Sequence, residues 1–159
     1  MGTAPDPAWT RERDHDGGRL VRYLALDVGD ERIGVAVSDA GGLVARPLEV
    51  LARVRGSASF LRIGELVSEY CIGTIVVGWP LLPDGSEGAQ VRSTAAYVRG
   101  LEQHVDIPII RYDERGSTIR ARELSQESGG SRRRDDLDAL AAAVILQSFL
   151  NEMAEEQSA

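Results

Sequence analysis

This 159-residue sequence predicts a mixed α/β domain, a central sheet of about five strands with helices over its faces, on three observations. Strand-type runs follow one another early, between Tyr23 and Val54, with only tight turns separating them. From Phe60 onward, helical periodicity alternates with short β-branched runs, the pattern of strands joined by helical crossovers. The composition, 43% hydrophobic and 27% charged, is that of a single globular domain long enough to bury a core without disulfides or structural metal.

Residues 1–22 hold Pro5, Pro7, Gly17-Gly18 and interleaved charges without an apolar period, so a flexible tail is expected there. The domain is expected over residues 23–150. Its opening run Tyr23 to Val28 ends at Gly29-Asp30-Glu31, and Arg32 to Ser38 returns with alternating character: strand, tight turn, strand. Gly41-Gly42 turns the chain again, and Val44 to Val54 supplies a third strand, which makes the first three antiparallel. Phe60, Ile63, Leu66, Val67 and Tyr70 recur at helical spacing behind Ser57, a candidate cap. Thr74 to Gly78 reads as a buried strand, and Leu81 to Gly88, with Pro83, Asp84 and Gly85, as a loop. A second helix carries Val91, Ala95, Val98 and Leu101, and Ile107 to Tyr112 is the last strand. Ser117 is placed to start a helix that Gly129-Gly130 stops. The final helix begins near Asp135 with Leu137, Leu140, Ala141, Val144 and Phe149 on its apolar face, and residues 151–159 form an acidic end expected to fray from it.

Composition narrows the function. Cys71 is the only cysteine and His15 and His104 the only histidines, which excludes zinc fingers and ribbons and points to a reducing compartment. No run approaches the ~18 consecutive apolar residues of a membrane span, and the N-terminus lacks the apolar core of a secretory signal, so a soluble cytoplasmic protein without membrane partners is expected. The net charge of −7 argues against a uniformly basic nucleic-acid binder. All 18 basic residues are arginine, a side chain suited to phosphate, although a biased genome produces the same usage.

Three segments place acids where the sheet should gather a ligand. Asp27 stands near the carboxyl end of the first strand inside an apolar run, Asp113 and Glu114 just beyond the last strand, and Asp138 in the first turn of the final helix. Clustered carboxylates repel unless a cation joins them, and Mg²⁺ or Mn²⁺ prefers such oxygen ligands. Each acid also has a plainer reading. Asp27 can be a turn residue, Asp113 or Glu114 can precede a helix cap, and Asp138 can complement the helix dipole.

Four blocks, covering nearly everything from Tyr23 to Leu150, carry a resemblance to a known family. They are Leu24-Ala25-Leu26-Asp27-Val28-Gly29 with Arg32 to Ser38; Ile75 to Leu81 with Asp84-Gly85; Asp113-Glu114-Arg115-Gly116-Ser117-Thr118; and Leu137-Asp138 leading into Ala142 to Leu146. In this order they resemble the YqgF family, also called RuvX. The resemblance implies an RNase H-like fold and a nuclease that matures the 5′ end of pre-16S ribosomal RNA, with a Holliday-junction resolvase-like activity as the alternative. Its acidic positions fall on Asp27, Glu114 and Asp138, expected to hold two Mg²⁺ or Mn²⁺ ions with Asp27 bridging and Asp113 in reserve. Strand alternation lets only one of Asp113 and Glu114 reach the same ion, and the resemblance favours Glu114. Two positions depart from the family pattern: Trp79 and Gly116 each stand where leucine is usual.

Substrate contacts are expected from positive charge near the acids. Residues 111–134 hold seven arginines against four acids, a local charge of +3. Arg132-Arg133-Arg134 follow two glycines and precede the Asp138 helix, placed to clamp phosphates or to lie as a solvated charge run. Arg115, Ser117 and Thr118 can meet phosphate at a helix start, and the Trp79 ring can stack on a base or fill a packing gap. The partners expected are nucleic acid, precursor ribosomal RNA first and branched DNA second, and a ribosomal precursor particle. Two other classes compete. An ATP-binding sugar-kinase or actin-like domain shares the Asp27-Val28-Gly29 opening, but it needs two related halves, and this chain has no repeat. A non-catalytic RNA-binding module of the same fold would lack metal-dependent cleavage.

Overall fold

The computed structural model describes residues 22–113 and 134–158. The chain runs β1 (Arg22–Val28), β2 (Arg32–Ser38), β3 (Ala45–Ala52), α1 (Ala58–Glu69), β4 (Ile72–Trp79), α2 (Ala89–Glu102), β5 (Ile109–Asp113) and α3 (Arg134–Ser158). The strands form one sheet in the order β3-β2-β1-β4-β5. β1 pairs antiparallel with β2 and β2 with β3, whereas β1–β4 and β4–β5 are parallel. Short turns can only return the chain antiparallel, and the longer crossovers through α1 and α2 allow parallel entry.

Strand alternation sorts the side chains onto two faces. Leu24, Leu26, Val28, Ile33, Val35, Val37, Ile75 and Val77 face α1 and α2, where Ile63, Leu66, Val91, Val98 and Leu101 close the larger core. On the opposite face Ala25, Ala36 and Val76 meet Ala142, Ile145, Leu146 and Phe149 of α3. That second face is made largely of small side chains, so α3 lies close against the sheet.

The elements differ from the sequence expectation mainly at their ends. β1 begins at Arg22, one residue inside the expected tail. β3 is shorter than Val44 to Val54, and both of those valines are exposed. β5 starts at Ile109, because Pro108 has no N–H for the ladder, although its carbonyl accepts a bond from the Ile75 N–H. Ser57 does occupy the N-cap position of α1, but its hydroxyl makes no capping bond. The acidic end does not fray after Leu150: α3 continues to Ser158, with Met153 against the core and Glu152 near enough to Tyr112 to help push its hydroxyl up. α3 is long and apolar enough in composition to cross a membrane, yet its apolar stripe is packed on the sheet. The helix expected after Ser117 lies outside the described residues.

Candidate active site

Asp27 is the next-to-last residue of β1, and its partner across the β1–β2 pair is Gly34. The alternation that turns Leu26 and Val28 toward α1 and α2 turns Asp27 toward α3. A side chain at Gly34 would run into the backbone carbonyl of Asp138, so only glycine lets the first turns of α3 settle at this height on the sheet. Asp138 is thereby set beside Asp27. The two acids interact: burial first, and then the Asp138 charge, push the Asp27 carboxyl up to about 6.

Asp138 has a cationic partner of its own. The Arg32 Nε–H donates to Asp138 Oδ2 at 2.7 Å, and the same guanidinium lies 3.5 Å from Glu31 and 3.9 Å from Asp135. The hydrogen bond to Asp138, then its charge, raise the Arg32 guanidinium above its ordinary range.

The turn that follows Asp27 is fastened from several sides. The Gly29 N–H donates to the Arg32 carbonyl at 2.9 Å, an approach so close that a Cβ on Gly29 would collide with that oxygen. Arg53 donates to the Gly29 carbonyl at 3.0 Å and to the Ser93 hydroxyl at 2.8 Å, with its guanidinium over the Tyr97 ring. Gln90 donates to the Val28 carbonyl at 3.2 Å. The end of β1 is thus tied to the start of α2.

The other expected site residues are distributed as follows. Asp113 ends β5 opposite Trp79, on the α1/α2 side of the sheet, while Tyr112 faces α3 and packs edge-on to Phe149. Asp113 therefore points to the face opposite Asp27. Glu114, Arg115, Ser117, Thr118, Arg132 and Arg133 lie outside the described residues, and Arg134 is the first residue of α3. Trp79 is 7% exposed and belongs to the larger core, with the Arg111 guanidinium 4.3 Å above its ring. Its place is that of a packing residue, not an open stacking platform.

Arg32, Gly34 and Arg53 were not among the expected site residues. A glycine inside a strand is a known sign of close backbone approach, and Gly34 could have been found that way. Nothing in the sequence shows which helix Arg32 or Arg53 would meet.

The donor chemistry fits a hard divalent cation. Two carboxylates, one of them half-buried and unfavourable when ionised, gain from a shared positive charge. Among the described residues no group of three His, Cys, Asp or Glu side chains converges, so Asp27 and Asp138 are the described part of such a ligand set.

The mixed five-stranded sheet carries one acid late in its first strand and another near the start of its last helix, the α/β arrangement that the sequence predicts. The family model described as "RuvX: Holliday junction resolvase" matches residues 21–152. The chain belongs to the RuvX family. A relative from Thermoanaerobacter pseudethanolicus, named "Putative pre-16S rRNA nuclease", is 37% identical over 134 residues, 82% of this chain and 96% of that one. Relatives of the same name from Syntrophus aciditrophicus and an Anaeromyxobacter species are 40% and 43% identical, covering 86% and 82% of this chain and 93% and 97% of theirs. The solved RuvC structure from Thermus thermophilus aligns with a TM-score of 0.48 at 17% identity, over 84% of this chain and 97% of that one.

Proposed function

We propose that this protein is a divalent-metal-dependent nuclease that hydrolyses phosphodiester bonds of precursor 16S ribosomal RNA at its 5′ end. The observation that carries the proposal is the half-buried Asp27 carboxylate set beside Asp138 at the carboxyl end of β1. The names of the full-length relatives support the RNA substrate.

Asp27, Asp138 and Glu114 are the residues that would hold Mg²⁺ or Mn²⁺. Bound there, one or two such ions would supply a deprotonated water and neutralise charge on the phosphoryl group and the leaving 3′ oxygen. The chain's own residues do the rest. Gly34 sets the height of Asp138, and the Arg53 fastening fixes the end of β1 on which Asp27 stands. Partial burial of Asp27 limits its hydration, which strengthens its attraction for a cation. Arg132, Arg133 and Arg134, with Arg115, Ser117 and Thr118, hold the phosphate backbone beside the acids.

The test is incubation of the full chain with precursor ribosomal RNA, a four-way DNA junction and single strands, with Mg²⁺ or Mn²⁺ and with chelator. Metal-dependent cleavage of the precursor RNA is expected. Cleavage of the junction alone would move the substrate to branched DNA, and no metal-dependent cleavage of any of these would leave a binding module.

A further inference from the structure

We infer that Arg32 is a positioning residue for the cation site: it grips Asp138 by one carboxylate oxygen and so presents the other, alongside Asp27, to the ion. The inference rests on the reading that Asp27 and Asp138 hold a divalent cation.

Two degrees of freedom have to be fixed for Asp138 to serve as a ligand. Its backbone is placed by the close approach of α3 to Gly34. That contact leaves the side chain free to rotate, and repulsion from Asp27 favours rotation outward into water, since the Asp138 side chain is 32% exposed. Arg32 removes this freedom. Its Nε–H bond to Oδ2 is short and charge-assisted, and among the described residues Oδ1 accepts no hydrogen bond.

Arg32 is itself well placed for the task. It stands on β2 two residues before Gly34, hence on the same face of the sheet, and its carbonyl is held by the Gly29 N–H. Glu31 and Asp135 flank the guanidinium and balance its charge, so that it can sit beside a cation site. Partners that hold metal-ligating carboxylates by hydrogen bonds orient them, and losing such a partner weakens metal binding roughly 10–100-fold.

The experiment is calorimetric titration of the full-length protein with Mn²⁺ alone, comparing wild type, Arg32→Ala, Arg32→Lys and Arg62→Ala at a temperature where circular dichroism shows all four folded. Arg62 pairs with Glu49 and Glu65, neither of them an acid of the proposed cation site, so its variant controls for loss of an ion pair as such. Arg32→Ala should bind Mn²⁺ about 10–100-fold more weakly, Arg32→Lys should recover part of that loss, and Arg62→Ala should match wild type. Raising Mn²⁺ should restore turnover of Arg32→Ala, because the defect is in holding the ion. Equal or tighter Mn²⁺ binding by Arg32→Ala overturns the inference, since a guanidinium that only competes with the cation gives that sign. Unchanged affinity with low turnover at saturating Mn²⁺ also overturns it and places Arg32 on the substrate. If wild type itself takes up no Mn²⁺, the cation-site reading fails and the inference falls with it.

Discussion

Asp27 is costly to the metal-free fold and, in the proposed cation site, needed by the loaded one, and both halves of that statement can be measured. Its carboxyl is raised from 3.8 to about 6, so the native state binds a proton that the unfolded chain has already released. That contribution to stability is complete below pH ~4 and is lost as pH rises through about 6, a cost of about 3 kcal/mol at neutral pH. Asp27→Asn should therefore unfold later than wild type in chelator at pH 7, by a margin that closes toward pH 4, as denaturant titrations across that range would show. The same substitution should abolish cleavage and remove the thermal stabilisation that Mn²⁺ gives wild type. Wild-type turnover by a pure, folded Asp27→Asn protein would exclude this residue as an essential ligand. A second comparison concerns the end of β5. Asp113 shares the Trp79 face, away from Asp27, so Glu114→Gln should cost far more activity than Asp113→Asn at matched stability. The reverse order would mean that the register of the acids is off by one residue.

Between elements, the contact of β2 with α3 has the narrowest tolerance. Gly34→Ala has to push the Asp138 backbone off the sheet, and overpacking of this kind costs about 1–3 kcal/mol. Because Asp138 is a ligand in the proposed cation site, Mn²⁺ affinity should fall as well. Gly41→Ala, where a Cβ meets only ordinary contacts, should leave both quantities near wild type. Thermal melts with and without Mn²⁺ on the two variants check this pair. The same contact shows where sequence reading stops. Alternation within Arg32 to Ser38 and β branching in Thr74 to Gly78 made those strands legible, since burial on a face imposes a period that survives in one dimension. Asp27 was legible as an acid in an apolar run. The role of Gly34 depends on its meeting Asp138, and the grip of Arg32 on that same residue spans 106 positions, and no local pattern encodes either. The continuation of α3 past Leu150 escaped for a similar reason: Met153 and Glu152 find partners on the sheet that their polar neighbours in sequence conceal.

For the whole molecule, a net charge of −7 must be reconciled with a polyanionic substrate, and the arginine-rich residues 111–134 are where the sign reverses. Replacing Arg132, Arg133 and Arg134 by alanine should weaken RNA binding and flatten its salt dependence. The slope of log K against log salt should fall by roughly 0.7 for each single-strand phosphate that these arginines no longer neutralise. Metal affinity should stay near wild type. Binding measured from low to moderate salt on an Asp27→Asn background decides it, because superimposable slopes would return these arginines to the solvated surface. The chain also carries its own optical probe of this region. Trp79 is one of only two tryptophans, it is enclosed by the core, and a guanidinium from β5 lies over its ring two residues before the strand's last acid. With Trp9 replaced by phenylalanine, its emission becomes a single-residue signal: blue-shifted while β5 keeps its place beside β4, and changed in intensity by any event that lifts Arg111 from the indole. On the proposed function, loading of metal or RNA should then be readable in real time, without a label.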